Sequence, residues 1–192
     1  MLDNLNVLLG VSGGIAAYKS VDLASKLTAA GVRIQTVMTQ NATRLVGPAS
    51  FGAVTRSAVF TDLWSMPEDY KIGHIALADW ADVVVVAPAT ANIIGKAANG
   101  ICDDLLSTIL CACSPLLQSG KVLMAPAMNN NMWSNPAVQR NTKTLQEMGY
   151  KIIGPAEGRL ACGTEGPGRM SEPQEIIEAI KTIVLKMKKR EA

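Results

Sequence analysis

The chain has 192 residues, with 18 Lys plus Arg against 16 Asp plus Glu, 48% hydrophobic and 4% aromatic residues. That length suits one compact domain with a single large core, and a formal net charge of +2 provides no broad basic field for gripping nucleic acid. No apolar run approaches the roughly 18 residues of a membrane span, and a start with Asp3 and no basic flank makes a poor signal peptide, so no membrane partner and a cytoplasmic location are expected.

In chain order, Asn6 to Val11 reads as a first strand, followed by the glycine-rich turn Gly10-Val11-Ser12-Gly13-Gly14-Ile15 and a helix from Ile15 to Ala30 that stops at Gly31. A second strand, Val32 to Met38, runs into Thr39-Gln40-Asn41. The run Val83-Val84-Val85-Val86 does not alternate with polar residues, as expected for a central parallel strand covered on both faces. It ends at Pro88-Ala89-Thr90-Ala91-Asn92-Ile93. A fourth strand, Lys121 to Ala125, leads into Pro126-Ala127-Met128-Asn129-Asn130-Asn131-Met132-Trp133. A helix follows from Asn135-Pro136 to Gly149, and then a short strand, Lys151 to Ile153. The segment from Gly154 to Pro173 has no clear period and reads as a functional loop. In the last helix Ile176, Ile177, Ile180, Ile183 and Val184 recur at helical spacing, while Lys186, Lys188, Lys189 and Arg190 form a solvated basic end. This alternation predicts an α/β fold, a Rossmann-like or flavodoxin-like doubly wound parallel sheet in three αβα layers, as a single domain over residues 1–192.

Four cysteines and one histidine are too few and too irregularly spaced for a disulfide framework or a zinc centre, so no metal is expected. Cys102, Cys111 and Cys113 lie in or beside the apolar run Leu105 to Leu117 and read as packing residues. Trp64, Trp80 and Trp133 read as core or subunit contacts. The glycine turn before the first helix offers free N–H groups and the positive end of the dipole to an anion, such as a phosphate. Its spacing is not G-x-G-x-x-G, and the second strand ends without the acidic residue that would hold an adenosine ribose, so a mononucleotide fits better than a dinucleotide. The consecutive asparagines after the fourth strand suit either a solvated turn or the fixing of a substrate carboxylate or amide.

Five pieces in order resemble one known family: Ser12-Gly13-Gly14-Ile15-Ala16-Ala17-Tyr18-Lys19; His74 before Ile75-Ala76-Leu77-Ala78; Pro88 to Asn92; Pro126-Ala127-Met128-Asn129; and Ala161-Cys162-Gly163 with Gly166-Pro167-Gly168-Arg169-Met170. They are similar to the homo-oligomeric flavin-containing cysteine decarboxylases, and within these to the phosphopantothenoylcysteine decarboxylases. The resemblance implies FMN held by Ser12, Gly13, Gly14 and Ile15, by Thr39, Gln40 and Asn41, and by Thr90, Ala91, Asn92 and Ile93, with Ala127 nearby. Ile93 departs from the threonine often found there. It also implies a homo-oligomer, a trimer or an assembly of trimers such as a dodecamer, with active sites between subunits. Many bacterial relatives continue into a ligase domain that joins cysteine to phosphopantothenate, so that activity is expected on a separate chain or a missing domain.

The implied reaction is FMN-dependent decarboxylation of 4′-phosphopantothenoylcysteine to 4′-phosphopantetheine in coenzyme A biosynthesis, through a thioaldehyde and an enethiol. His74 is expected to act as the base or proton-positioning group, because histidine exchanges protons near neutral pH. Asn129, with Met128 beside it, is expected to orient the substrate carboxylate without the charge that would resist release of neutral CO2. Cys162 would donate a proton in the final reduction, and Arg159, Leu160 and Ala161 would belong to a substrate clamp over about 154–173. The alternatives are a peptide cysteine decarboxylase that releases the enethiol, a flavin prenyltransferase of related fold, and a non-catalytic flavin-binding regulatory protein.

Overall fold

The structure is a computed structural model that describes residues 2–64, 73–159, 163 and 165–191. Its first half runs β1 (Asn6–Val11), α1 (Ala17–Ala29), β2 (Arg33–Met38), α2 (Gln40–Thr43), α3 (Pro48–Thr55), β3 (Val59–Phe60), α4 (Gly73–Trp80), β4 (Val83–Ala89) and α5 (Ala91–Ala98). The second half runs α6 (Leu105–Ala112), α7 (Ser114–Gln118), β5 (Val122–Pro126), α8 (Asn130–Trp133), α9 (Pro136–Met148), β6 (Lys151–Ile152), β7 (Ala156–Arg159), β8 (Glu165–Arg169) and α10 (Pro173–Glu191). Six strands form one parallel sheet in the order β3-β2-β1-β4-β5-β6, the Rossmann-type arrangement. Among the described residues, no helix is long and apolar enough to cross a membrane.

The alternation of side chains along a strand explains why the central strands are apolar throughout. Val7, Leu9, Val11, Val83, Val85 and Ala87 face one core with Leu23 and Leu27 of α1 and Ile176 and Ile180 of α10. Leu8, Val84, Val86, Val122 and Met124 face the other, with Leu77, Ile94, Leu106, Ile109 and Leu145. Cap chemistry sets the helix ends. Asn135 accepts from the Ala137 N–H at 2.9 Å to open α9, and Gly149, at φ 108°, closes it in the left-handed region.

Several expectations are corrected. Residues 154–173 are not simply a loop: β7 and β8 pair there as an antiparallel hairpin. The pattern was hidden because glycine and proline fill the three central positions of β8, Glu165-Gly166-Pro167-Gly168-Arg169, leaving no apolar period. The two-residue β3 is likewise too short to show one. Helix α1 begins at Ala17 rather than Ile15, because the Ala17 N–H turns back to the Gly14 carbonyl at 2.9 Å. The apolar run from Leu105 is broken into α6 and α7 at Cys113, just before Pro115. Of the three cysteines read as packing residues, only Cys113 is buried, while Cys102 and Cys111 are exposed. Trp64 is 88% exposed and takes no part in the core.

Candidate active site

The strand order reverses between β1 and β4, and connections leave the sheet there in opposite directions. A cavity of about 980 Å³ opens at the carboxyl ends of the strands at this point. Its walls come from the segments following β1, β2, β4 and β5, and from the β7–β8 hairpin. Ser12, Gly13, Gly14 and Ile15, Thr39, Gln40 and Asn41, Thr90, Ala91 and Asn92, Ala127, Met128, Asn129 and Arg159 all line it.

Each strand end is held by local capping. Thr39 Oγ1 accepts from the Ala42 N–H at 3.3 Å, Thr90 Oγ1 from the Ile93 N–H at 3.4 Å, and Asn129 Oδ1 from the Asn131 N–H at 2.8 Å. The turns after β1 and β4 are also tied to each other. Buried Ser12 donates its hydroxyl to the Pro88 carbonyl at 2.7 Å and accepts from the Thr90 N–H at 3.0 Å. Ser12→Ala leaves that N–H without its acceptor, and the variant is expected to lose about 1–3 kcal/mol of stability, read as a lowered urea midpoint. An unchanged midpoint would show that the tie does not hold the two turns.

The charges are arranged asymmetrically around the cavity. Lys96 is clamped by Asp103 and Asp104, each at 2.6 Å. Burial opposes its charge, but the hydrogen bonds and attraction of the two carboxylates outweigh this and hold its pKa above the ordinary lysine value. Asp103 is held below the usual carboxylate range by the hydrogen bond from Lys96. Glu172 bridges two residues of the cavity lining, Lys19 at 2.8 Å and Arg169 at 3.1 Å, and the hydrogen bond from Lys19 lowers its pKa. Lys19, Arg159 and Arg169 all line the cavity, and their positive charge favours anionic ligands.

The hairpin is docked on the segment that follows β5 through its backbone. The Met128 N–H donates to the Gly168 carbonyl at 2.9 Å, and a Cβ on Gly168 would stand 2.2 Å from the Met128 carbonyl oxygen. Glycine at φ +146° is therefore required there. Met170, Arg169, Lys19, Tyr18, Met132, Lys96 and Asp104 also face the cavity, although the sequence reading had not assigned them to the site. For Arg169 and Met170 the Gly168-Arg169-Met170 motif was the available signal. For Lys96 and Asp104 the signal was their place in the segment after the four-valine strand, at the sheet's carboxyl edge, whereas their pairing across a turn left no pattern.

Two expected residues do not line the cavity. The Ile93 side chain is buried in the core of α5, and its N–H is engaged by Thr90. His74 is half-buried at the start of α4, and that helix packs against α6. Leu160, Ala161 and Cys162 lie outside the described residues.

A family profile described as Flavoprotein matches residues 1–185. The chain belongs to the Flavoprotein family. Among its relatives, the coenzyme A biosynthesis bifunctional protein CoaBC of Bacillus subtilis (strain 168) is 51% identical over 178 residues, 93% of this chain and 43% of that protein. CoaBC of Escherichia coli (strain K12) is 41% identical over 172 residues, 90% of this chain and 41% of that protein. The chain thus spans about two fifths of the length of these curated relatives. Among solved structures, a cysteine-to-serine mutant of PPC decarboxylase complexed with pantothenoylaminoethenethiol superposes with a TM-score of 0.82 at 35% identity, covering 93% of this chain and 97% of that one. The FMN-dependent cysteine decarboxylase SpaF superposes with a TM-score of 0.80 at 39% identity, covering 96% and 99%. A Flavoprotein-family cavity must admit a flat ring beside a phosphate. Here the tight glycine turn, the small Ala91 and Ala127, and the hydroxyl and amide groups at the strand ends fit FMN.

Proposed function

We propose that this chain binds FMN in the switch-point cavity and decarboxylates 4′-phosphopantothenoylcysteine to 4′-phosphopantetheine, a step of coenzyme A biosynthesis. The observation that carries the reading is the meeting of the glycine turn, Thr39 to Asn41, Thr90 to Asn92 and Ala127 to Asn129 around one cavity. The named relatives, among them a PPC decarboxylase and an FMN-dependent cysteine decarboxylase, support it. The turn from Ser12 to Ile15 and the caps Thr39 and Thr90 hold the cofactor. When bound, the flavin supplies the two-electron acceptor that lets the substrate reach the thioaldehyde level, from which CO2 leaves with its electrons held as an enethiolate.

Asn129 orients the substrate carboxylate, and its own hydrogen bond from Asn131 fixes the rotation of its amide. As an uncharged partner it does not stabilise the carboxylate against loss of CO2. Arg159, with Leu160 and Ala161, closes the clamp that keeps water from the thioaldehyde, and Cys162 gives the proton when the enethiol is reduced to the saturated thiol. A reducing cytoplasm keeps that thiol available.

His74 reaches the reaction from a neighbouring copy, in a homotrimer or an assembly of trimers. Two features support this assignment. His74 is off its own chain's cavity, and apolar surface stands uncovered both at the cavity wall, with Ile15 65% and Tyr18 62% exposed, and beside His74, with Ile75 40% exposed. The joining of cysteine to phosphopantothenate is assigned to another domain or chain.

Mass spectrometry of the products formed by FMN-loaded protein and 4′-phosphopantothenoylcysteine tests the reading. Loss of CO2 alone is expected. Loss of CO2 plus two hydrogens would remove Cys162 from the final reduction, and unchanged substrate would overturn the assignment of substrate and reaction.

A further inference from the structure

Glu172 stands immediately before α10, and its backbone is taken up by the start of that helix. Its N–H donates to the Glu175 carboxylate at 2.7 Å, and its carbonyl accepts from the Glu175 and Ile176 N–H groups at 2.9 and 3.2 Å. The Glu172 carboxylate itself serves other partners. Lys19 on α1, at 2.8 Å, and Arg169 at the end of β8, at 3.1 Å, both meet the same oxygen, Oε1. Both cations line the cavity.

Three elements therefore meet at one carboxylate, and each is placed for it. Ile176 and Ile180 of α10 share a core with Leu23 and Leu27 of α1, which gives Glu172 a fixed base beside Lys19. The Lys19 side chain is only 14% exposed, so water serves its charge poorly and the carboxylate is its main support. The Arg169 guanidinium lies against the other strand of the hairpin, where a Cβ on Gly158 of β7 would stand 3.3 Å from Arg169 Nη1. Without Glu172 two like charges would be left side by side, and they would repel each other. One residue before Arg169, Gly168 accepts from the Met128 N–H at 2.9 Å, so slack at Arg169 passes directly to the segment that carries Asn129.

We propose that Glu172 is a positioning residue that latches the β7–β8 hairpin to α1 and holds Lys19 and Arg169 together on the cavity wall, where they engage an anionic group of the substrate. The engagement of substrate rests on the decarboxylation proposed above; the latch does not. One carboxylate between two cations orients them and still leaves a net positive charge at the cavity.

Glu172→Gln keeps the size of the side chain and removes its charge. In FMN-loaded protein, amide hydrogen exchange of the peptide carrying Met128 is expected to speed up about three- to tenfold, the scale of losing one partly buried ion pair. Adding Lys19→Met to Glu172→Gln should speed it no further, because Lys19 reaches the hairpin only through this carboxylate. With 4′-phosphopantothenoylcysteine, the KM of Glu172→Gln is expected to rise about 5- to 20-fold while kcat stays within about twofold, the signature of lost uniform binding. Unchanged exchange would overturn the latch. A KM that stays constant or falls would overturn the positioning role, a fall meaning that the carboxylate competes with the ligand for the two cations. A rise in flavin Kd in place of KM would assign the pair to the cofactor and overturn its assignment to substrate. If the wild type leaves the substrate unchanged, the proposed reaction fails and the substrate role of the pair fails with it, while the exchange measurement still decides the latch.

Discussion

His74→Asn is expected to bind FMN as the wild type does and to lose about 10²- to 10⁴-fold in kcat, the range contributed by a positioned acid or base. Flavin retention is expected because the substitution lies on α4 and leaves the glycine turn and the Thr39 and Thr90 caps, which line the cavity, unchanged. The same placement leads to a sharper expectation. If the histidine serves the cavity of a neighbouring copy, His74→Asn and Asn129→Asp chains, each inactive alone, complement each other when dissociated and reassembled together. A working site then needs Asn129 from one kind of chain and His74 from the other, which random assembly supplies at about a quarter of sites. Steady-state turnover of the mixture, with oligomer size followed by sedimentation, checks this. Mixtures as inactive as their parents would place His74 within its own chain's chemistry or outside it altogether.

Gly13→Ala is expected to purify with little or no flavin. A Cβ at this position would stand 2.4 Å from Asn41 Cβ and 3.0 Å from its carbonyl carbon, so the added methyl meets backbone rather than a flexible chain end. The turn after β1 and the segment after β2 must then move apart where both face the cavity. Overpacking of this kind costs about 1–3 kcal/mol. If most of that cost falls on the flavin-bound geometry, the flavin Kd rises about 10- to 100-fold. Flavin absorbance of the purified protein and titration of the apoprotein measure this. The core should remain folded, because neither Gly13 nor Asn41 belongs to either hydrophobic cluster. Wild-type affinity in a folded Gly13→Ala protein would mean that the flavin does not depend on this contact.

The parallel sheet and three of its helices, α1, α9 and α10, were legible from local pattern. Four consecutive valines, Val83 to Val86, had to be covered on both faces, and Asn135-Pro136 with Gly149 marked both ends of α9. The candidate cofactor residues were also legible, since they follow strand ends in sequence and a doubly wound sheet brings those ends to one edge. Other features depend on pairs that no period encodes. The β7–β8 hairpin is held by the backbone pairing of Ala156–Arg159 with Glu165–Arg169 and by the approach of Gly168 to Met128, not by an apolar face. The Lys96 clamp comes from a turn folding back on the helix that follows it, and Cys102 in that turn and Cys111 at the end of α6, both supposed packing cysteines, stand at the surface.

Sequence by itself therefore determined the layers, the central strands and the residues gathered at the sheet's carboxyl edge. Burial of alternate apolar side chains and helix-end capping act over a few residues and leave a readable period. Only the tertiary structure decided that Ile93 turns into the core, that His74 stands off its own cavity and that Gly13 must admit Asn41, because each depends on which distant backbone comes within a few ångströms.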